Sequence, residues 1–312
     1  VEDADAVLRA FLAAAALSVE ALGASPEPYH EWVQRVKGHE GQKRVGAYLR
    51  RLLEGSASLR STAEVRRDIQ GERRAGASRA SESVQSGYSV RCIPQGIGPM
   101  YDTLRQIRPV LETEANSAND NPLVDPGTGH IFHTGNFYGG HTARALDGLK
   151  LDLATAANWA NALMAVLVDD RFSNGLPPAL AAHTGVNTGF KGMQLSMTAL
   201  ACAVRQLASP STIHPLPTEQ YNQDMVSLGV HAALTARDAL ERTRDAVSIL
   251  LLTACQAIDL RGAAARLGAG TRPVYRAIRS FSSFVKADRA MEDDITELSR
   301  RILAQELPLP EW

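Results

Sequence analysis

The sequence predicts an all-α protein: a bundle of long antiparallel helices interrupted by irregular polar loops. Three observations point there. Apolar residues recur at helical spacing over stretches far longer than a strand. Aromatic residues make up only 5% of the chain while alanine is abundant, which favours close-packed helices over sheets. Alternating β-branched runs bounded by turns are nearly absent.

The elements follow in order. Residues 6–22 carry Leu8, Phe11, Leu12, Ala15, Val19 and Leu22 at i, i+3, i+4, i+7 spacing, and Gly23 supplies the stop. Residues 40–54 repeat the pattern weakly. Over 60–87 the character changes: Arg66, Arg67, Asp68, Glu72, Arg73, Arg74 and Arg79 sit among Gly and Ser, which predicts a solvated, mobile loop. Within its end, "QSGYSVRCIPQGIG" (85–98) crowds a phenol, a guanidinium, a thiol and two carboxamides onto a backbone loosened by Gly and Pro. A helix resumes at about 97–117. Residues 118–142 are dense in Asn, Asp, Pro and Gly and predict turns.

A helix over 142–170 is broken by "SNGLPPAL", and another covers 189–208. A third polar island, "SPSTIHPLPTEQYNQD" (209–224), precedes the longest helix, about 225–261. Its charges at 237, 238, 241, 242, 244 and 245 mark a solvated face, and Leu240, Val247, Leu250, Leu251 and Ala254 the opposite one. Gly262 ends it, and shorter helices at about 272–285 and 291–305 complete the chain. Residues 1–262 therefore read as the bundle core and 263–312 as helices packed upon it. In such bundles polar groups gather where helices end and backbone groups are unpaired, so the three islands are candidate walls of a site.

Bulk properties narrow the function. The 312 residues suit one large helical unit. Lys and Arg total 33 against 34 for Asp and Glu, a formal net charge of −1, so no basic surplus points to nucleic acid or a membrane surface. The longest apolar run noted, "SILLLTACQAI", falls short of the roughly 18–20 residues that span a bilayer. Cys92, Cys202 and Cys255 are too scattered for a disulfide framework, and His133, His141, His183 and His214 show no metal-ligand spacing, so no metal is expected. With no secretory signal, a cytoplasmic location is expected. The chain opens on Val1, and an upstream segment, removed or supplied by another polypeptide, is expected.

Five motifs then occur in a recognisable order and spacing: "YSVRCIPQGIG" (88–98), "NDNPLV" (119–124), "GNFYGGH" (135–141), "NGLPP" (174–178) and "EQYNQDMVSLG" (219–229). Together they resemble the aromatic amino acid ammonia-lyase and aminomutase family, the histidine, phenylalanine and tyrosine ammonia-lyases. The resemblance extends to at least about residue 262 and implies the helical architecture of the fumarase/aspartase superfamily. It also implies an electrophile, a methylidene-imidazolone formed from an Ala-Ser-Gly triplet. No such triplet occurs here; "GASRAS" at 76–81 is the nearest approach. The chain is thus similar to the C-terminal portion of such an enzyme. The electrophile and a catalytic tyrosine loop would come from a missing segment or a partner chain, in a tetramer-like homo- or hetero-oligomer.

The resemblance assigns roles to individual residues. Arg91 would hold the substrate carboxylate with two parallel hydrogen bonds, a task suited to a planar guanidinium. Tyr88 would stand beside the electrophile and handle a proton. Asn121 would donate near the imidazolone oxygen and the carboxylate; as a residue before Pro122 it also suits a plain turn. Phe137 would pack by the electrophile, and Gln85 and Gln95 would line a polar wall. Glu219, Asn222 and Gln223 would line the pocket around the amine, Glu219 and Gln223 sharing a face if the helix starts early; N-terminal capping is the plainer role, and Asp224 is assigned to it. Cys92 reads as a small buried filler. The neutral Gln223 in "NQD" resembles the phenylalanine and tyrosine branch, since an imidazole would be better served by a carboxylate. A protein of another class, a catalytically silent helical subunit supporting a complete relative, fits the same pattern.

Overall fold

The computed structural model describes residues 1–78 and 84–312. Arg79 and the end of "GASRAS" lie outside the described residues. Eleven α-helices and one two-residue hairpin are found among those described.

Helix α1 (Glu2–Leu22) is longer than its apolar spacing predicts and is buried all round, every residue from Ala6 to Leu22 included. A helix apolar on every side belongs at the centre of a bundle, and its alanines let neighbours approach closely. Helices α2 (Glu31–Lys37) and α3 (Glu40–Leu52) follow. The charged run expected to be a mobile loop contains α4 (Thr62–Arg74). Ser61 and Glu64 close a capping box there. Only Val65 is buried, so no apolar stripe marked the helix.

A short turn of helix, α5 (Tyr88–Arg91), precedes α6 (Ile93–Ala115), with Cys92 as the break between them. The stretch 88–98 is therefore largely helical, not irregular as its composition predicts: Pro94 sits in the first turn, where its missing N–H costs nothing. Pro99 and Pro109 lie inside α6 on its exposed side. Helices α3 and α6 meet backbone to backbone, since a Cβ on Gly41 would stand 2.1 Å from the Gly98 carbonyl oxygen.

The hairpin β1 (Leu123–Val124) and β2 (Ile131–Phe132) pairs Leu123 with Phe132 and Val124 with Ile131. Two residues per strand are too few for alternation to show in the sequence. Helices α7 (Gly140–Val168), α8 (Lys191–Leu207) and α9 (Gly229–Leu260) form the long part of the bundle with α1 and α6. α10 (Thr271–Arg279) and α11 (Glu292–Leu303) pack on α1 and α9. By length and composition α7 could cross a membrane, with mean hydropathy 1.3, but half of that stretch is buried inside the protein, as in the core helix of a bundle.

Directions follow from contacts. Gly96 meets Trp159 while Gly139 approaches Glu114, so α6 and α7 are antiparallel. Thr198 bonds Asn161 and the residues after α8 bond Lys150, so α8 also opposes α7. Thr235 and Thr243 meet Lys150 and Leu153, so α9 runs with α7. The polar segments 116–139 and 208–228 thus share one end of the bundle. The Tyr88–Arg91 turn lies at the other. Gly96 and Glu114 are on one helix, so at 1.5 Å of rise per residue the two ends stand about 27 Å apart.

Candidate active site

At the first end, three of the expected residues come together. The Arg91 guanidinium lies over the Tyr88 ring, 4.7 Å from its centroid, and donates from Nη1 to Gln85 Oε1 at 2.8 Å. A cation over an aromatic face is electrostatically attracted to it. Arg91 Nε is buried and has no hydrogen-bond partner among the described residues. Such a donor is costly to leave unmade, and the Nε side of a guanidinium is one of the edges that a carboxylate takes with two parallel bonds. Tyr88 itself is 71% exposed. Gln95 is exposed on α6 and makes no side-chain hydrogen bond to this cluster among the described residues.

The backbone beneath these side chains is fixed from two sides. Tyr29, wholly buried, donates its hydroxyl to the Val90 carbonyl at 2.6 Å. Trp159 Nε1 donates to the Ser89 carbonyl at 2.7 Å. The indole can reach because residue 96 is glycine: a Cβ there would stand 2.1 Å from Trp159 Cζ3. Sequence reasoning passed over Tyr29, Trp159 and Gly96. A glycine inside a helix was their one visible signal.

At the other end, Asn121 Oδ1 accepts from the Thr134 amide at 2.8 Å, tying the two sides of the hairpin region together. Its Nδ2 makes no hydrogen bond among the described residues. Phe137 is 60% exposed, and so is not an ordinary core aromatic of this chain. Next to it, Tyr138 donates to the Val226 carbonyl at 3.4 Å, linking the second island to the third.

Glu219 and Gln223 do not share a helical face. α9 begins only at Gly229, with Leu228 in the left-handed region before it, so Asp224 caps nothing. Residues 219–221 form instead a 3₁₀ turn in which Glu219, Gln220 and Tyr221 all have positive φ, a conformation that L-residues rarely hold. Asn222 Nδ2 donates to Glu219 Oε2 at 3.1 Å, and Thr218 Oγ1 donates to Gln223 Oε1 at 3.2 Å. The expected residues are thus divided between the ends: Gln85, Tyr88 and Arg91 cluster at one, while Asn121, Phe137 and the Glu219–Gln223 loop lie at the other, with no hydrogen bond joining the loop to Asn121 or Phe137 among the described residues.

One buried polar cluster at that second end was not anticipated. Asp147 and Lys150 pair at 2.8 Å on α7, with Lys150 fully buried. Burial pushes the Asp147 carboxyl up, but the Lys150 ammonium and the amides of Ser211 and Thr212 outweigh it and hold the group at about 2.

Comparison with known proteins gives these clusters a family. A sequence model of the aromatic amino acid lyases matches residues 1–280. The tyrosine ammonia-lyase of Cupriavidus metallidurans is 36% identical over 91% of this chain and 54% of its own length. The histidine ammonia-lyase of Stigmatella aurantiaca is 36% identical over 94% of this chain and 54% of its own length. The phenylalanine aminomutase of Pantoea agglomerans superposes with a TM-score of 0.90 at 35% identity, over 96% of this chain and 59% of that one. The chain spans a little over half the length of the curated relatives it matches. With the family match, the identities and the fold in agreement, the chain belongs to the aromatic amino acid lyase family.

Proposed function

We propose that this chain supplies the carboxylate-holding and amine-facing walls of an ammonia-lyase or aminomutase acting on an aromatic L-amino acid, phenylalanine or tyrosine. The observation that carries the reading is Arg91, whose Nε is a buried donor beside the Tyr88 ring with no partner among the described residues. A carboxylate is the natural occupant of that donor edge.

The proton lost in such an elimination sits on the β carbon, next to no carbonyl, and general base catalysis alone is insufficient. A methylidene-imidazolone would supply an electrophile that turns the amine into a leaving group. The residues present suit its neighbourhood: Asn121 has an Nδ2 with no hydrogen-bond partner among the described residues, and Tyr88 presents an exposed hydroxyl-bearing ring. No Ala-Ser-Gly occurs in the chain, so its source would be another segment or polypeptide. Arg91 would fix the carboxylate and so decide which β hydrogen meets the base. Asn121 Nδ2 would donate where negative charge develops, and Tyr88 would hold or pass a proton at its hydroxyl oxygen. Glu219 and Asn222 would face the amine.

Two features favour joint sites between chains. The two groups of residues lie at bundle ends about 27 Å apart within one chain, much farther than an amino acid spans. Tyr88, Phe137 and Tyr221 are also largely exposed, and this chemistry needs a site from which water is excluded. An oligomer that sets one end of a bundle against the opposite end of another would meet both needs.

The test is to assay this chain alone and with a polypeptide bearing the triplet. Ultraviolet absorbance of the α,β-unsaturated acid, and detection of the β-amino acid, separate lyase from aminomutase. No activity alone and activity on mixing are expected, with phenylalanine or tyrosine preferred. Robust turnover by this chain in isolation would remove the assembly reading. A highest kcat/KM for histidine would remove the reading of the neutral Gln223.

A further inference from the structure

We infer that the buried Asp147–Lys150 pair of α7 is a positioning device for the loop that carries Glu219, Asn222 and Gln223. The inference rests on the proposal that this loop lines the substrate site.

Every hydrogen bond made by residues 215–225, among the described residues, is to another residue of that segment. Among the described residues, hydrogen bonds therefore tie the tip to the rest of the protein only through its two roots. One root carries the hydrogen bond from Tyr138 to the Val226 carbonyl, with Gly139 close to Ser227 and Gly229. The other is Ser209–Thr212, and there the loop meets a dense set of buried groups. Asp147 takes the Ser211 amide on Oδ1 and the Thr212 amide on Oδ2, both at 2.9 Å. Lys150 Nζ donates to the Ser209 carbonyl at 2.8 Å and to Ser211 Oγ and Thr235 Oγ1 at 3.2 Å. Ser211 Oγ also shares a hydrogen bond of 2.9 Å with His231 Nδ1, in the first turn of α9. The pair thus grips the segment leaving α8 and holds it against both α7 and α9.

Burying two charges is expensive, and well-packed apolar residues usually stabilise a core as much. A buried pair therefore adds little as ballast, but its geometry is specific. Here its oxygens and protons are spent on the backbone and hydroxyl of one loop root. That use fixes where the loop starts and in which direction it leaves the bundle.

The experiment compares the parent chain with Asp147→Asn and with the double variant Asp147→Asn, Lys150→Met, which removes both charges together and so avoids leaving a buried ammonium unpaired. The readout is limited chymotrypsin cleavage followed by mass. Tyr221 reports the tip, Phe172 reports an exposed loop at the opposite end, and Tyr29 and Tyr48 report global unfolding; the first two are exposed and the last two buried. Cleavage at Tyr221 should rise about tenfold or more in both variants, with cleavage at Phe172 within about twofold of the parent and Tyr29 and Tyr48 resistant in the double variant. Unchanged cleavage at Tyr221 in a folded double variant would overturn the inference, as would a rise equal at all four sites. In the complete assembly, kcat should fall about tenfold with KM within about threefold, since the Arg91 end is untouched; a fall in KM-dependent terms alone would count against it. Loosening confined to Tyr221 with no elimination by parent or variants would sustain the anchor and remove the lyase reading instead.

Discussion

The Tyr88–Arg91 turn and the Glu219–Gln223 loop carry similar polar side chains at opposite ends of the bundle, yet they are held in opposite ways. The turn has its carbonyls pinned from outside: Tyr29 holds Val90 and Trp159 holds Ser89. Among the described residues, the loop hydrogen-bonds only to itself between its roots. One region is organised by the interior of its own chain. The other is tethered at its base and left exposed, its backbone in a left-handed conformation over Glu219, Gln220 and Tyr221. Under the proposed function the two ends would divide the labour, the rigid end setting the carboxylate and the tethered end closing on it from another chain.

The strongest way to break this comparison is at Arg91. In the complete assembly Arg91→Lys should lower kcat/KM about ten- to one-hundred-fold, because a lost charged hydrogen bond is worth roughly 1.5–3 kcal/mol and an ammonium cannot reproduce the fork. Elimination rates at equal folded concentration measure it. A loss under about threefold would remove Arg91 from the carboxylate role, and the rigid end would then be rigid for some other reason. Next is Gly96→Ala. The added methyl would meet the Trp159 ring, so stability should fall by about 1–3 kcal/mol in denaturant titration, with the indole displaced from Ser89. A neutral outcome would mean that the ring can slide away without consequence, and that the turn is not pinned from that side.

Much of this architecture was legible in the sequence. The long helices α7, α8 and α9 showed themselves by apolar spacing and by the breaks between them, because burying one face writes a 3.6-residue period. α4 was not legible: a helix with one buried residue, Val65, writes no period, and only the Ser61–Glu64 pair signalled it. The stretch 88–98 reads as irregular because Gly and Pro signal irregularity on average, whereas Pro94 occupies a first-turn position of α6 that tolerates it. The polar motifs identified the candidate site residues, but not their separation. Motif order carries no distance, and the 23-residue α6 between Arg91 and Asn121 places them at opposite ends. Asp147 and Lys150 were invisible for a related reason: two charges one turn apart in a helix look like a solvated pair, and only the loop that folds over them makes them buried.

A smaller effect sharpens the same comparison. Trp159→Phe keeps an aromatic ring on Gly96 and removes the 2.7 Å bond to the Ser89 carbonyl. A net hydrogen bond is worth about 1 kcal/mol, so stability should fall by roughly that amount. Activity should fall through KM, because the turn that carries Arg91 would hold its carboxylate less well. Loss in kcat alone would place the effect on a chemical step and away from substrate holding.

The smallest expected effect lies at the tethered end. Thr218→Val removes the hydroxyl that donates to Gln223 Oε1 at 3.2 Å and leaves the backbone pairing of 218 with 223 in place. Both side chains are exposed, so water can replace the lost partner, and exposed substitutions of this kind usually fall within about 0.5 kcal/mol. The chain's denaturation midpoint should therefore hardly move. In the assembly, a freed Gln223 carboxamide should shift the ratio of kcat/KM between substrates more than it shifts either value together, since that carboxamide would be the group facing the side chain or amine. If Thr218→Val instead destabilises the chain as much as Trp159→Phe, the tip is coupled to the bundle through more than its roots. The distinction between a pinned end and a tethered end would then fail.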